Sequence, residues 1–535
     1  MADFRKRIVD YYNANPLKCI ILVALAVRLV AVFFSKGFGM HDDHFLIIES
    51  SKSWIEGGDY NHWLPWSQGI DNPVPSGHSF FYPGLMYCLF GMLKFIGIES
   101  LNVQMYFIRL IHALWSLLVV YYGYKITEKY TNRKTANIAG WTLALYFFMS
   151  WLAVRNLVEV VAIPFLMAAT WLYVKDETPK LIRVLWVGAL MGMAMCVRYQ
   201  VMFFIGGFGL ALLIMKRWKD AIIFGIGVIV SFSIIQGIPD MILWHRPFAE
   251  FWEYISYNFA NSTTYFNQPW YNYILVILGL MIPPVSVFIF GGFFYEWKKW
   301  ILFLPSFAFL LFHSIFPNKQ ERFILTIFPF IIVLGIIGIY DFWQKRKTSP
   351  HFDRPKGAET RAKREHSPQA TKSPLRKTFR VCLWISLILN IIALIPVTVH
   401  YSKKARVEAM VYLSNYPESE YYVIEGMLAY GVRLPVETYA DHFFKGHADV
   451  YKGHEWNTAE QFVTKNPVAF VLFEGEDNLE ERLAEAKKYI PNLTFETKCE
   501  ESFLDALVQT INPINENYPI IIYRNTDVIP AKKTK

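Results

Sequence analysis

Cysteine is scarce in this chain: five residues in 535 (Cys19, Cys88, Cys196, Cys382 and Cys499), four of them inside apolar stretches. None has the spacing of a metal ligand set or a redox pair, so a disulfide framework is not expected. Charged residues amount to only 18% of the chain, against 54% hydrophobic and 17% aromatic. With a mean hydropathy of +0.25, this is too apolar for a soluble protein of that charge content, and the bilayer is the expected solvent. A cleavable leader is not expected. Residues 17–35 follow Arg5, Lys6 and Arg7 but carry no small-residue cleavage site, and they read as a retained first helix. No paired or inverted repeat of the kind common in transporters is visible.

What is present begins with positive charge. The net charge is +9, and residues 345–380 hold twelve Lys/Arg against Asp353, Glu359 and Glu365, which equals the whole excess. That Pro/Ser/Lys-rich run lacks interleaved aromatics and lies between apolar segments. It reads as a cytoplasmic loop beside anionic headgroups, not as a nucleic-acid surface.

Apolar runs near 17–35, 104–124, 136–152, 157–175, 181–197, 199–216, 219–240, 272–293, 298–316, 322–342 and 380–400 predict eleven crossings. A twelfth run, 80–97, is long enough to cross. Reading it as interfacial or re-entrant puts Lys125–Lys134, Lys216–Lys219 and Lys298–Lys299 on the side of the N-terminus and the basic loop, as the positive-inside rule requires. Segments 36–103, 241–271 and 317–321, with everything after residue 401, then face the other side. The expected organisation is a transmembrane module over 1–343, a basic loop over 344–379, a last helix over 380–400 and a non-cytoplasmic α/β domain over 401–535. In that domain Tyr421–Ile424, Val468–Phe473 and Ile520–Tyr523 read as strands and Leu479–Tyr489 as a helix. It contains neither a phosphate-binding glycine loop nor a nucleophile motif, which favours a capping or acceptor-binding part.

The outer segments gather the unusual polar residues. His41-Asp42-Asp43-His44-Phe45, with Glu49, follows the first span. It is either a solvated loop or a carboxylate pair able to take a proton from an acceptor hydroxyl. Gly77-His78-Ser79-Phe80-Phe81-Tyr82-Pro83-Gly84 opens the interfacial run, where proline suits a helix start. Arg155 and Glu159, four apart, would share a helix face as an ion pair, and with Arg198 they could instead form a buried anion site. Asp240 and His245 border the second outer loop. Asn318-Lys319-Gln320-Glu321-Arg322-Phe323 places cations where the orientation rule disfavours them, either anchoring headgroups or meeting a phosphate.

These residues resemble the GT-C membrane glycosyltransferases, and within them glycosyltransferase family 22, whose mannosyltransferases use dolichyl-phosphate mannose. Over residues 17–345, Asp42-Asp43-His44-Phe45 with Glu49 is similar to the family's His-Pro-Asp-Glu loop, and Tyr82-Pro83-Gly84 to its Tyr-Pro-Gly element. Asp240, Asn258-Phe259, Tyr265 and Pro269-Trp270 with Tyr273 resemble its later outer loop. Asn318-Lys319-Gln320-Glu321-Arg322-Phe323 resembles its His-Lys-Glu-x-Arg-Phe turn. The chain departs from the pattern in lacking proline between His41 and Asp42, in having Asp43 for Glu, and at Asn318 and Gln320.

The resemblance implies a mostly α, polytopic GT-C-like fold with a small C-terminal α/β domain, and inverting transfer of a hexose, most readily mannose, from a polyprenyl-phosphate carrier. The acceptor would be a glycan or glycolipid. Asp42 would be the base, with Asp43 assisting. Lys319 and Arg322, with Arg198 and His245, would meet the lipid phosphate, and His41, Glu49, Tyr82, Arg155, Glu159, Asp240, Tyr265 and Trp270 would complete substrate binding. No cofactor, metal or nucleic acid is implied. The setting is a multi-pass membrane protein of a bacterial inner membrane, or alternatively of the endoplasmic reticulum. Competing readings are a GT-C enzyme acting on lipid A or protein, and a non-catalytic transporter of a lipid-linked sugar.

Overall fold

The computed structural model describes residues 2–67, 73–264, 266–348, 374–427, 435–451, 456–512 and 517–530. Most of the basic run at 345–380, and the candidate Tyr265, lie outside the described residues. The chain forms two compact units, one of Met1–Val30, Val74–Phe81 and Ile111–Thr398, the other of Ala31–Pro73, Tyr82–Leu110 and Val399–Lys535. The first outer loop, expected to belong to the transmembrane module, thus clusters with the C-terminal sheet.

Among the described residues, five helices are long and apolar enough to cross a membrane: Pro16–Phe34, Leu101–Tyr130, Trp218–Trp244, Glu321–Lys345 and Pro374–Thr398. Val285–Tyr295 and Trp300–Ile315, bent by 117°, add a sixth if counted together. Unbroken helices of that length do not reach the eleven crossings expected. Hydropathy counts apolar residues whether or not they share one helix, and two of the expected spans are broken, at Tyr146 and at Met281–Pro284. Val158–Val174, Leu181–Val197 and Tyr199–Ile214 are shorter apolar helices. The 80–97 run forms the helix Phe81–Phe95, about 22 Å long at 1.5 Å per residue and short of the ~30 Å hydrocarbon thickness.

In the first unit, apolar helices cannot gain from burial against one another as they would in water, so close backbone approach matters more. Leu181–Val197 packs on Trp218–Phe232 through glycines. A Cβ on Gly188 would sit 2.1 Å from the Phe224 carbonyl oxygen, and one on Gly227 would sit 2.2 Å from that of Leu185. Breaks in the helices are repaired by side chains. At Tyr146 the backbone turns extended (ψ 129°), and Asn390 spans the gap, accepting from Phe147 N at 2.9 Å and donating to Leu145 O at 2.9 Å. Ser386, one turn earlier, donates to Ile282 O at 3.2 Å and accepts from Val285 N at 3.3 Å. Inside the first span, Arg28 is fully buried and donates to Ser116 Oγ at 2.8 Å and to the carbonyls of Ala24 and Ala144 at 3.2 Å.

The second unit is built on a five-stranded sheet: β1 (Tyr421–Met427), β2 (Gly446–Tyr451), β3 (Val468–Glu474), β4 (Leu493–Cys499) and β5 (Ile520–Asn525). Its order is β2-β1-β3-β5-β4, with β1 parallel to β2 and β3, and β5 antiparallel to β3 and β4. β3 is buried along its whole length, as its unbroken apolar run requires. Trp456, Ala459, Ala486 and Ile490 from two helices close the core over Val423, Val471 and Ile521. The expected strands and the helix Leu479–Tyr489 are all present. β2 and β4 were not foreseen, since Gly446-His447-Ala448-Asp449 and Thr494-Phe495-Glu496-Thr497 mix polar and apolar residues in a way typical of sheet edges.

The first outer loop is tied into this unit over long sequence distances. Ser402 N donates to Lys36 O at 3.2 Å, Leu101 N donates to Asp441 Oδ1 at 2.7 Å, and Tyr60 Oη donates to Pro435 O at 3.3 Å.

The glycine contact predicts an asymmetry within one helix. Gly188→Val or Gly227→Val forces backbones apart and lowers stability by on the order of 1–3 kcal/mol or more. Gly225→Val, with open space around it, leaves the melting temperature in detergent within a degree or two. Equal effects at Gly227 and Gly225 would contradict the close crossing.

Candidate active site

The acidic element lies in the second unit. His41–Asp43 forms a single helical turn that runs into a wider-wound segment, His44–Glu49, and then the helix Ser50–Ile55. Successive helical residues point about 100° apart, so Asp42 and Asp43 diverge: Asp42 is exposed, whereas Asp43 is only 5% exposed. The expected side-by-side carboxylate pair is replaced by one solvent-facing group and one inward group. Tyr82, itself buried, sits where burial and then the charge of Asp43 push its phenol well above its usual range. The Tyr-Pro-Gly element therefore lies within electrostatic reach of the acidic turn.

Glu49 has a different surrounding from that of a ligand-facing residue. Its carboxylate is fully buried and receives Thr438 N at 3.1 Å and Thr438 Oγ1 at 2.7 Å, with His44 Nε2 at 3.1 Å. The His44 ring stacks on Tyr439 at 5.6 Å and on Phe38 at 4.9 Å. Burial raises the Glu49 pKa, against the lowering effect of the His44 and Thr438 contacts. This geometry makes Glu49 a clasp between the acidic turn and the tail.

The cationic element lies in the first unit. Glu159 is fully buried; Arg198 Nη1 pairs with its Oε1, and Arg322 Nε lies 3.8 Å from the same oxygen. Arg198 Nη2 also donates to Gln200 Oε1, which His313 Nε2 approaches at 3.1 Å. Arg322 Nε donates to Gln320 Oε1 at 2.9 Å. Both guanidinium groups lie over the Phe323 ring, at 5.1 and 5.6 Å from its centre. Both arginines are 8% exposed and Lys319 only 3%. Lys319 donates to Phe316 O at 2.5 Å, and desolvation lowers its pKa.

The expected Arg155–Glu159 pairing along one helix face is corrected. The chain leaves the helix after Leu152 and re-enters it at Val158, so four-residue spacing no longer defines a face. Arg155 is buried over the Trp151 ring at 4.8 Å, and the ion pairs of Glu159 run to Arg198 and Arg322.

The second outer loop is anchored beside these cations. Lys319 N donates to Phe266 O at 3.1 Å and Gln268 N to Pro317 O at 3.3 Å. The adjacent Trp270 is 65% exposed. Tyr273 Oη donates to Gln320 O at 3.1 Å. His245 is an exposed left-handed residue that ends a helix. Asp240, fully buried, accepts from Gln236 Nε2 at 2.8 Å and caps the next helix through Glu250 N at 3.1 Å. Asp240 and His245 thus shape the loop. Of the side chain of His41 nothing is described. Among the described residues, no group of three or more His, Cys, Asp or Glu is placed to hold a metal ion.

Sequence reasoning missed Glu250. It is fully buried, and its Oε2 accepts from Ser76 Oγ at 3.1 Å, Gly77 N at 2.6 Å and His78 N at 3.2 Å, gripping the strand of chain that leads into the Tyr-Pro-Gly element. The only sign in the sequence was a carboxylate among aromatics in an outer loop. Burial raises its pKa to about 7, although the Gly77 and Ser76 donors oppose the shift. A carboxyl group whose pKa is raised by folding favours the fold while protonated. Its contribution is complete below about pH 4.5 and is lost as pH rises through about 7. The melting temperature of the wild type should therefore fall between pH 5 and pH 8 relative to Glu250→Gln, by an equivalent on the order of 2–3 kcal/mol. Parallel curves for the two proteins would show that Glu250 does not titrate there.

A crystal structure of ArnT from Cupriavidus metallidurans bound to undecaprenyl phosphate is similar with a TM-score of 0.57 at 12% identity, covering 96% of this chain and 99% of that one. The apo state of that protein gives 0.56 at 13% identity, covering 97% and 100%. An Archaeoglobus fulgidus oligosaccharyltransferase tethered with an acceptor peptide gives 0.48 at 11% identity, covering 87% and 70%. A search of curated proteins finds no match. The likeness to ArnT shows the fold, which is GT-C. A sequence model of the Alg9-like mannosyltransferase family matches residues 19–424, about three quarters of the chain. With the acidic turn, the Tyr-Pro-Gly element and the Lys-x-x-Arg-Phe turn all inside that match, the chain belongs to the Alg9-like mannosyltransferase family and is an integral membrane glycosyltransferase.

Proposed function

We propose that the protein transfers mannose from a polyprenyl-phosphate carrier to a hydroxyl of a glycan or glycolipid acceptor, on the non-cytoplasmic face and with inversion. The observation that carries this reading is the buried cluster of Arg198 and Arg322 around Glu159, with Lys319 on the same outer turn. Two guanidinium groups lie within ion-pair reach of one buried carboxylate, with a third cation buried on the same turn as Arg322, and a buried cationic site of this kind is suited to taking up an anion. A departing lipid phosphate is such an anion. The undecaprenyl phosphate named with the ArnT structure, whose fold this chain shares, supports the same class of donor.

In this reading the exposed Asp42 takes the proton from the acceptor hydroxyl. The acceptor oxygen bonds to the anomeric carbon, and the bond from that carbon to the phosphate oxygen breaks. The phosphate leaves with the electron pair and is stabilised by the guanidinium groups, whose fork geometry suits phosphate oxygens. Phe323 holds both guanidinium planes, and Glu159 keeps them aligned before the donor arrives. Asp43 acts through Tyr82, positioning the acidic turn. The reading extends to a bacterial inner membrane, with the endoplasmic reticulum as the alternative.

Reconstituted protein supplied with labelled polyprenyl-phosphate mannose tests the reading. Asp42→Asn lowers kcat by 10²- to 10⁴-fold with little change in donor KM, as expected for loss of a general base. Arg198→Gln and Arg322→Gln each lower kcat/KM by roughly 10²-fold, the scale of one lost charge-stabilising donor. Donor binding with no transfer by the wild type would point to a carrier instead, and full activity in Asp42→Asn would move the base elsewhere.

A further inference from the structure

The first unit contains an apolar cleft of about 700 Å³ between the helices Arg133–Leu145, Phe328–Thr348 and Pro374–Thr398. Its walls are hydrocarbon, with Ile138, Ile339, Leu383 and Leu387 among them, and its mouth carries Lys134, Arg376 and Arg380. Among the described residues, no Asp or Glu lines it. The Arg376 guanidinium lies over the Trp343 ring at 5.2 Å, which holds it at the rim. The polar groups on the floor are already used: Ser386 and Asn390 are spent on the backbone breaks near Ile282 and Tyr146. The cleft therefore offers cations at one end and carbon along its length.

Its dimensions fit a chain rather than a compact solute. From Arg376 to Asn390, both lining the cleft, the helix rises about 21 Å. The cleft is also separate from the cationic cluster around Glu159. Arg322 stands near one end of the span Glu321–Lys345 and Trp343 near the other, about 30 Å apart along the helix, which is the thickness of the hydrocarbon core. The two groups of cations thus sit near opposite ends of that span. Pro374–Thr398 is little buried by protein, with only 11% of its apolar window covered, so the cleft opens sideways toward lipid.

We propose that this cleft is a binding site for one anionic glycerophospholipid, whose headgroup phosphate meets Lys134, Arg376 and Arg380 while an acyl chain lies along Leu383 and Leu387. Charge complementarity selects the headgroup, since three cations line the mouth and basic pockets between helices favour anionic lipid. The bound chain fills the space between Pro374–Thr398 and the rest of its unit and replaces missing protein contacts.

Native mass spectrometry of the purified full chain in detergent, with equal amounts of palmitoyl-oleoyl phosphatidylglycerol and phosphatidylcholine, tests the site. One phosphatidylglycerol is retained with roughly tenfold preference, the scale expected for a few basic side chains at a lipid surface. The triple variant Lys134→Gln/Arg376→Gln/Arg380→Gln brings the preference to within about twofold, whereas Arg376→Lys/Arg380→Lys keeps it, which separates lost charge from lost folding. Leu383→Trp, which fills the cleft from an exposed position, removes the retained lipid. Preference unchanged in the triple variant overturns the site, and displacement of the lipid by excess glycerol phosphate overturns its assignment to a lipid.

Discussion

A polar group left without a partner in hydrocarbon is costly, and the helical unit of this protein is organised around meeting that demand. Several of its helices are short or broken. Each break exposes backbone donors and acceptors that water cannot reach, and one helix, Pro374–Thr398, supplies Ser386 and Asn390 to two of them. Those two side chains are four residues apart and so lie on one face. The same demand bears on Arg28 of the first span, whose Nε and Nη1 are taken up by Ser116 and by the carbonyls of Ala24 and Ala144. Intramembrane charge can thus be structural, and only its partners tell the two uses apart.

The cationic cluster is the contrasting case. Arg198 and Arg322 share the single carboxylate of Glu159 and lie over the same phenyl ring. Glutamines 200 and 320 take further guanidinium hydrogens, so both side chains are held in place. Preorganised charge of this kind needs little rearrangement when an anion forms, which is the property a departing phosphate rewards.

In the second unit the C-terminal segment is more than an appended cap. Glu49 of the first outer loop is clasped by Thr438, 389 residues later, and Ser402 and Asp441 hold the backbone on either side of the acidic turn. The orientation that leaves Asp42 exposed and Asp43 buried is therefore fixed partly by the tail. A change near Thr438 acts on the acidic turn through that hydrogen bond.

Much of this was legible in the sequence. Apolar runs marked the membrane class, and the first, next-to-last and final expected spans arose close to their expected places because hydropathy is a local property. The strands β1, β3 and β5 and the helix Leu479–Tyr489 followed from their patterns, and the ordered motifs marked the family. The partners were not legible. Glu159 pairs with Arg198 rather than along its own helix because the chain unwinds between Leu152 and Val158, and Glu250 grips Gly77 from 173 residues away. Composition and periodicity marked the apolar helical segments and three of the five strands of the C-terminal sheet. Only the tertiary structure decided which polar groups meet, because hydrogen-bond and ion-pair partners are chosen by packing between segments distant in the chain, a choice that no local pattern encodes.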